Sequence, residues 1–145
     1  MLYFDTSFLV PLILEEPTSG KIERLLRSRH NEEIAVSHWT RVEFSSLLAR
    51  EVRMGGLNAK DATAADMELE AVIDESFVVL LPSANDFDVA KEFLQRYRSG
   101  LRAGDALHLA IASNNNARTI YSLDRTLLQA GRKLGLPVRA GIRLP

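Results

Sequence analysis

Cysteine is absent from the 145-residue chain, which removes disulfide staples, thiolate zinc sites, iron–sulfur clusters and cysteine nucleophiles at once. A reducing cytoplasm fits such a composition. Long hydrophobic runs are lacking too. The longest, Phe8 to Leu14, carries Pro11 inside it and falls far below the ~20 residues that span a bilayer. No basic segment precedes it, so neither export nor membrane insertion is expected. The chain holds no G-x-x-x-x-G-K-[ST] loop, G-x-G-x-x-G turn or G-x-S-x-G elbow, which leaves nucleoside-triphosphate, dinucleotide and serine-hydrolase chemistry without carriers. Histidine is scarce, and none of His30, His38 and His108 forms an H-E-x-x-H site.

Net charge is nearly missing as well, at −1, but the balance conceals a division along the chain. Residues 1–90 hold 8 Lys+Arg against 16 Asp+Glu, whereas residues 91–145 hold 10 Lys+Arg against only Glu92, Asp105 and Asp124. A basic half of this kind suggests contact with a polyanion, unless the halves neutralise each other across the fold. At 46% hydrophobic residues the chain has material for a core, and its length suits a single domain over residues 1–145.

Short apolar segments alternate with helical patterns. Leu2 to Phe4 is a strand that stops at Asp5-Thr6-Ser7, where helix-start residues stand. A short helix over Phe8 to Glu16 tolerates Pro11 only if it begins near Ser7 or Phe8. A second helix follows Thr18 or Ser19, Ile34 to Ser37 reads as a strand, and His38 to Met54 as a long helix stopped by Gly55-Gly56. Asn58 opens an acidic helix to about Glu75, Phe77 to Leu81 is a third strand, and Ser83 caps a helix reaching about Tyr97. Ala103 to Asn114, Thr119 to Ser122, Asp124 to Leu134 and Val138 to Arg139 then give helix, strand, helix and strand. The alternation implies an α/β fold with a mostly parallel sheet and helices on both faces.

In such folds ligands bind beyond the carboxyl ends of the strands. Asp5 and Asp124 stand at strand exits, and each also stands where a helix needs an N-cap. Glu43 and Asp105 lie inside helical segments among apolar neighbours, so each carboxylate needs a partner, such as Arg102 or His108, or a cation. Four acids meeting in one pocket would call for Mg²⁺ or Mn²⁺, hard cations that take oxygen ligands. Thr6, Ser7 and Ser122 supply nearby hydroxyls, with helix capping as their other role. His108, one helical turn after Asp105, reads as a packed, hydrogen-bonded residue.

Four blocks carry a family likeness: Leu2-Tyr3-Phe4-Asp5-Thr6-Ser7, Thr40-Arg41-Val42-Glu43-Phe44, the Leu101 to Ala110 segment containing Arg102-Ala103-Gly104-Asp105, and Ser122-Leu123-Asp124. In this order and spacing the chain resembles PIN-domain ribonucleases, specifically VapC-type toxins of toxin–antitoxin pairs. The resemblance implies a PIN-like fold with a central sheet of four to five short strands. It also implies a metal-dependent endoribonuclease in which Asp5, Glu43, Asp105 and Asp124 hold Mg²⁺ or Mn²⁺, with Thr6, Ser7 and Ser122 as polar neighbours, and whose cleavage leaves a 5′-phosphate. Ser122 stands where the family commonly has threonine, which preserves the hydroxyl. A homodimer and a VapB-type antitoxin, whose C-terminal segment places an arginine in the acidic groove, are expected partners. Arg96, Arg98 and Arg102, just before Asp105, are expected to receive RNA phosphates. Phe8, Trp39, Phe44 and Tyr97 are expected to be mostly core or interface residues. The alternatives are a haloacid-dehalogenase-like Mg²⁺ phosphatase, which normally needs a second Asp where Ser7 stands, and a PIN-like RNA- or protein-binding module without catalysis.

Overall fold

The computed structural model describes residues 1–144. In chain order it contains β1 (Leu2–Phe4), α1 (Thr6–Ile13), α2 (Ser19–Ser28), β2 (Ile34–Ser37), α3 (His38–Met54) and α4 (Ala59–Ser76). These are followed by β3 (Val78–Leu80), α5 (Ala84–Leu94), α6 (Ala103–Asn114), β4 (Thr119–Tyr121), α7 (Arg125–Lys133) and β5 (Val138–Arg139). The strands form one sheet in the order β3-β2-β1-β4-β5, with every pairing parallel.

Side chains alternate across the sheet and build a core on each face. Leu2, Phe4 and Val36 pack with Phe8, Ile22, Phe44, Leu69 and Ile73 from α1 to α4. Tyr3, Ala35, Ile120 and Val138 pack with Ala90, Leu109, Ile111 and Leu127 from α5 to α7. Buried on both sides, the inner strands β2, β1 and β4 need no polar face, which is why they read as short apolar runs, whereas the edge strands β3 and β5 are partly exposed.

Local capping residues start most of the helices. The carboxylate or amide oxygens of Asp5, Asn58 and Asp124 accept first-turn backbone N–H groups, and Ser83 forms a capping box with Asp86. Two helices differ from expectation. α1 begins at Thr6, so Pro11 falls past its first turn and withholds an N–H that the Ser7 carbonyl would otherwise accept. α5 ends at Leu94 rather than near Tyr97, because Gln95, Arg96, Tyr97 and Arg98 are all exposed and offer no apolar face to continue it.

The chain adds β2 and β3 on one side of β1, then returns to place β4 and β5 on the other. The order therefore reverses between β1 and β4. A crevice opens beyond the carboxyl ends of strands at such a switch point.

Candidate active site

Asp5 leaves β1 directly into this crevice, and Ser122 to Asp124 leave β4 beside it. Their backbones are joined by Asp5 N–H donating to the Tyr121 carbonyl at 3.1 Å. The buried Asp5 carboxylate accepts from Ser7 Oγ at 2.7 Å and Phe8 N at 3.2 Å through one oxygen, and from Ser122 Oγ at 2.7 Å through the other. Ser7 Oγ in turn accepts from Leu123 N at 2.8 Å, which ties the start of α1 to the β4 exit. Burial raises the Asp5 carboxyl above its ordinary value, although His108 and the three hydrogen bonds pull the other way. Asp124 caps α7 through Thr126 N at 2.7 Å and Leu127 N at 3.0 Å, while its own N–H donates to Ser122 Oγ at 3.0 Å. Capping and site placement thus coincide at both aspartates, because the caps lock their rotamers at the crevice.

Glu43 projects from α3 and His108 from α6. His108 Nε2 lies 2.5 Å from Glu43 Oε2, and Thr6 Oγ1 donates to the same carboxylate oxygen at 2.6 Å. With its hydrogen committed to Glu43, the Thr6 hydroxyl can only accept at its 3.2 Å contact with Nε2. On the far side of the ring, Nδ1 pairs with Tyr3 Oη at 2.7 Å, and Tyr3 donates to Ser37 Oγ at 3.1 Å. Burial pushes the Tyr3 phenol far above its ordinary value, which keeps it neutral in this chain. Burial would also raise the Glu43 carboxyl, but the His108 hydrogen bond and charge, with the Thr6 hydrogen bond, outweigh it and hold the group below its ordinary value. The Trp39 indole N–H faces this region without completing a hydrogen bond.

Asp105 differs from the other three. It lies in the first turn of α6, and its Oδ2 is buried with no hydrogen-bond partner. Burial, then the charges of Asp124, Asp5 and Glu43, raise its carboxyl to about 6 despite His108. Four carboxylates therefore share one field. Among the described residues no three acids or histidines close into a metal-ligating cage, and like-charge repulsion opposes closer approach. A cavity of about 320 Å³ opens beside Glu43 and Asp105, walled by Trp39, Val42, Arg102 and Gly104. A larger cavity, about 620 Å³, lies by Ile34 and Phe77 at the amino ends of β2 and β3, away from these acids.

The expected partners sort out cleanly. His108 is the packed, hydrogen-bonded residue anticipated and serves Glu43, whereas Arg102 is exposed and leaves Asp105 unpaired. Phe8 and Phe44 are core and Trp39 is half-buried, in keeping with the expectation that most of the four aromatics are core or interface residues, while Tyr97 is exposed. Tyr3 and Ser37 were missed as members of the His108 network. Their link spans 105 and 34 residues, and no local pattern announces it.

A fully parallel sheet in the order β3-β2-β1-β4-β5 with helices on both faces defines the class of fold. Residues 2–133 match the PIN domain family, and the chain belongs to it. No curated protein matches the sequence. Among solved structures it is similar to FitAcB from Neisseria gonorrhoeae, at 18% identity and a TM-score of 0.75 over 97% of this chain and 98% of that one. It is also similar to VapC20 of Mycobacterium tuberculosis, described as a sarcin–ricin loop cleaving toxin, at 24% identity and a TM-score of 0.68, with coverages of 90% and 95%. VapBC2 from Rickettsia felis, bound to a DNA fragment from their promoter, is similar at 17% identity and a TM-score of 0.73, with coverages of 96% and 98%. At these identities the structures speak to the fold. No described helix is long and apolar enough to cross a membrane.

Proposed function

We propose that this protein is a cytoplasmic, metal-dependent endoribonuclease, the toxin of a toxin–antitoxin pair. The observation that carries the reading is the buried, unpartnered Asp105 Oδ2 in the field of Asp5, Glu43 and Asp124. A buried carboxylate surrounded by like charges is costly unless a cation is its intended partner. The donors present are carboxylate and hydroxyl oxygens, the set that suits Mg²⁺ or Mn²⁺. Asp5, Glu43, Asp105 and Asp124 would hold the ion or ions, whose chemistry is charge neutralisation at phosphorus and activation of the attacking water.

The protein's own groups do the positioning. Ser7 and Ser122 fix both oxygens of Asp5, Thr6 and His108 fix Glu43, and the Tyr3–Ser37 pair fixes His108. Arg96, Arg98 and Arg102 receive RNA phosphates leading to the pocket. Hydrolysis leaves a 5′-phosphate. The same acidic crevice accepts an arginine from a VapB-type antitoxin, by charge-assisted hydrogen bonds to its carboxylates. The solved assemblies of similar chains with their partners support that reading, and a homodimer within the larger complex belongs to the same proposal.

The test is incubation of antitoxin-free protein with total cellular RNA in Mg²⁺ or Mn²⁺, with an EDTA control and mapping of the cleaved ends. Discrete metal-dependent cuts support the reading, and intact RNA in every lane argues against it.

Two variants probe its parts. A Cβ at Gly104 would stand 2.6 Å from Glu43 Oε1, so Gly104→Ala pushes the Glu43 carboxylate from its place. RNA cleavage should fall at least about 10-fold, since small displacements of catalytic groups are expensive. The displaced atom ends a flexible side chain, so the melting temperature should stay within a few degrees. Unchanged kcat/KM would mean that the position of Glu43 is immaterial. Replacing Arg96, Arg98 and Arg102 with glutamine should weaken RNA binding and flatten its salt dependence while Mn²⁺ binding persists. Unaltered RNA affinity would remove these residues from the interface.

A further inference from the structure

Between α5 and α6 the chain makes a turn whose tip carries Tyr97, 88% exposed. Lone exposed aromatics occur on many proteins, but this one is held in place. Ser99 N donates to the Arg96 carbonyl at 2.9 Å, closing the turn with Tyr97 and Arg98 at its apex, and Leu101 N donates to Ser99 Oγ at 3.2 Å. Gly100 adopts φ +72°, a left-handed conformation that a side chain would oppose. Phe93 and Leu94 before the turn, and Leu101 after it, are anchored in the core. The tip is thus presented by a built support, so contact with a ligand costs little ordering entropy.

The surroundings of Tyr97 are cationic throughout. Together with Arg96, Arg98 and Lys133, and over a floor of Ala130 and Leu134, it lines a cavity of about 350 Å³ with no carboxylate in its wall. Several arginines pair with acids, Arg27 with Glu23, Arg29 and Arg118 with Glu32, Arg41 with Glu70, whereas others among the described residues, such as Arg53 and Arg139, have no ion pair but do not cluster around an exposed ring. Among the described residues the side chains of Arg96, Arg98 and Lys133 make no ion pair or hydrogen bond. An exposed ring flanked by unpaired cations complements an unpaired base with its two phosphates. A protein partner with an apolar face would leave those charges unanswered.

The segment also leads to the acids. Gly100 sits 3.5 Å, as measured to a Cβ built on it, from the methyl of Thr126, whose N–H is capped by Asp124, and Arg102 walls the cavity beside Asp105. We infer that Tyr97, with Arg96, Arg98 and Lys133, forms a stacking site for single-stranded RNA at the far end of α7 from Asp124, on the segment that leads through Gly100 and Arg102 to the acids: a base lies on the phenol ring and its flanking phosphates meet the cations. The inference rests on the proposed RNA substrate, and it adds a preference for unpaired nucleotides that the acids alone do not provide.

The test uses the full chain carrying Asp105→Asn, in EDTA, so that binding is read without cleavage. Fluorescence anisotropy with a labelled mixed-sequence RNA, single-stranded or as a blunt duplex, is followed over a range of salt. Tyr97→Ala should weaken single-strand binding about 10-fold and leave duplex binding nearly unchanged, and Tyr97→Trp should retain it. Changing Arg96, Arg98 and Lys133 to glutamine should reduce the salt slope by about 2. Single-strand affinity unaffected by Tyr97→Ala overturns the inference. So does a change in the mass of the free protein on Tyr97→Ala, by light scattering, with RNA affinity intact, for then the tip is a contact between copies. Cleavage by the protein with Asp105 intact is scored separately. Tyr97-dependent binding without cleavage keeps the stacking site and sinks the nuclease, whereas cleavage without Tyr97 dependence does the reverse.

Discussion

Asp105→Asn should lower kcat/KM for metal-dependent RNA cleavage by at least about 10³-fold, and the metal-free variant should melt higher than its parent. The two effects share one cause. Asp105 is the carboxylate whose buried oxygen has no partner and whose ionisation is opposed by burial and by Asp124, Asp5 and Glu43. Asparagine keeps the shape, removes a charge needed for the cation and relieves the repulsion. In the parent, burial and these neighbours raise the Asp105 carboxyl from 3.8 to about 6 in the folded chain. Between those values the folded state binds more protons than the unfolded state, so stability falls as pH rises through that window. The penalty is complete above about pH 6 and absent below about pH 4. Since Asp105 is only partly buried, solvent screens the effect, and a gain of roughly 2–4 °C at neutral pH is expected, vanishing near pH 4. Thermal melts of parent and variant in EDTA across that range read the stability, and initial rates in Mn²⁺ read the activity. Cleavage within 10-fold of the parent would remove Asp105 from the chemistry.

The largest loss of stability should come from Phe4→Ala. Phe4 is fully buried at the centre of the sheet, with ring centroids 4.7 Å from Phe8, 5.3 Å from Tyr121 and 6.1 Å from Phe77. Truncating a buried phenylalanine removes its transfer free energy and leaves a cavity lined by rings that cannot collapse freely, at a cost of about 3–5 kcal/mol. Urea denaturation should show this as a lower midpoint at similar slope, and the melting temperature should fall by roughly 10 °C. Asp5 follows directly, so activity of the folded fraction should also suffer. A loss below about 1 kcal/mol would mean that the aromatic cluster is not what holds β1 in place.

The parts of the molecule legible in its sequence are those written in adjacent residues. Asp5, Asn58, Ser83 and Asp124 announce helix starts because capping is local, and the apolar strands between them imply a buried parallel sheet. Placing Asp5 and Asp124 at strand exits was likewise a local inference, which the sheet order then set at a switch point. His108 was expected to partner a helical carboxylate and does so at Glu43, but its links to Tyr3 and on to Ser37 were illegible because they join α6, β1 and β2 through space. Which of the four aromatics would stay outside was not legible either: the exposure of Tyr97 depends on α5 ending at Leu94, where the apolar face runs out. In the proposed reading the four acids draw together around a cation, which no sequence pattern contains, although Asp105 among small apolar residues already signalled a charge in want of a partner.

The claim on which the rest depends is that these acids form a divalent cation site. Calorimetric titration of Mn²⁺ into the antitoxin-free protein tests it without RNA, and Asp105→Asn serves as the paired sample. The expected result is saturable binding accompanied by proton release near pH 6, where Asp105 is partly protonated, with both signals lost in the variant. Absence of saturable binding to a protein that remains folded, or equal binding to the variant, would contradict the account.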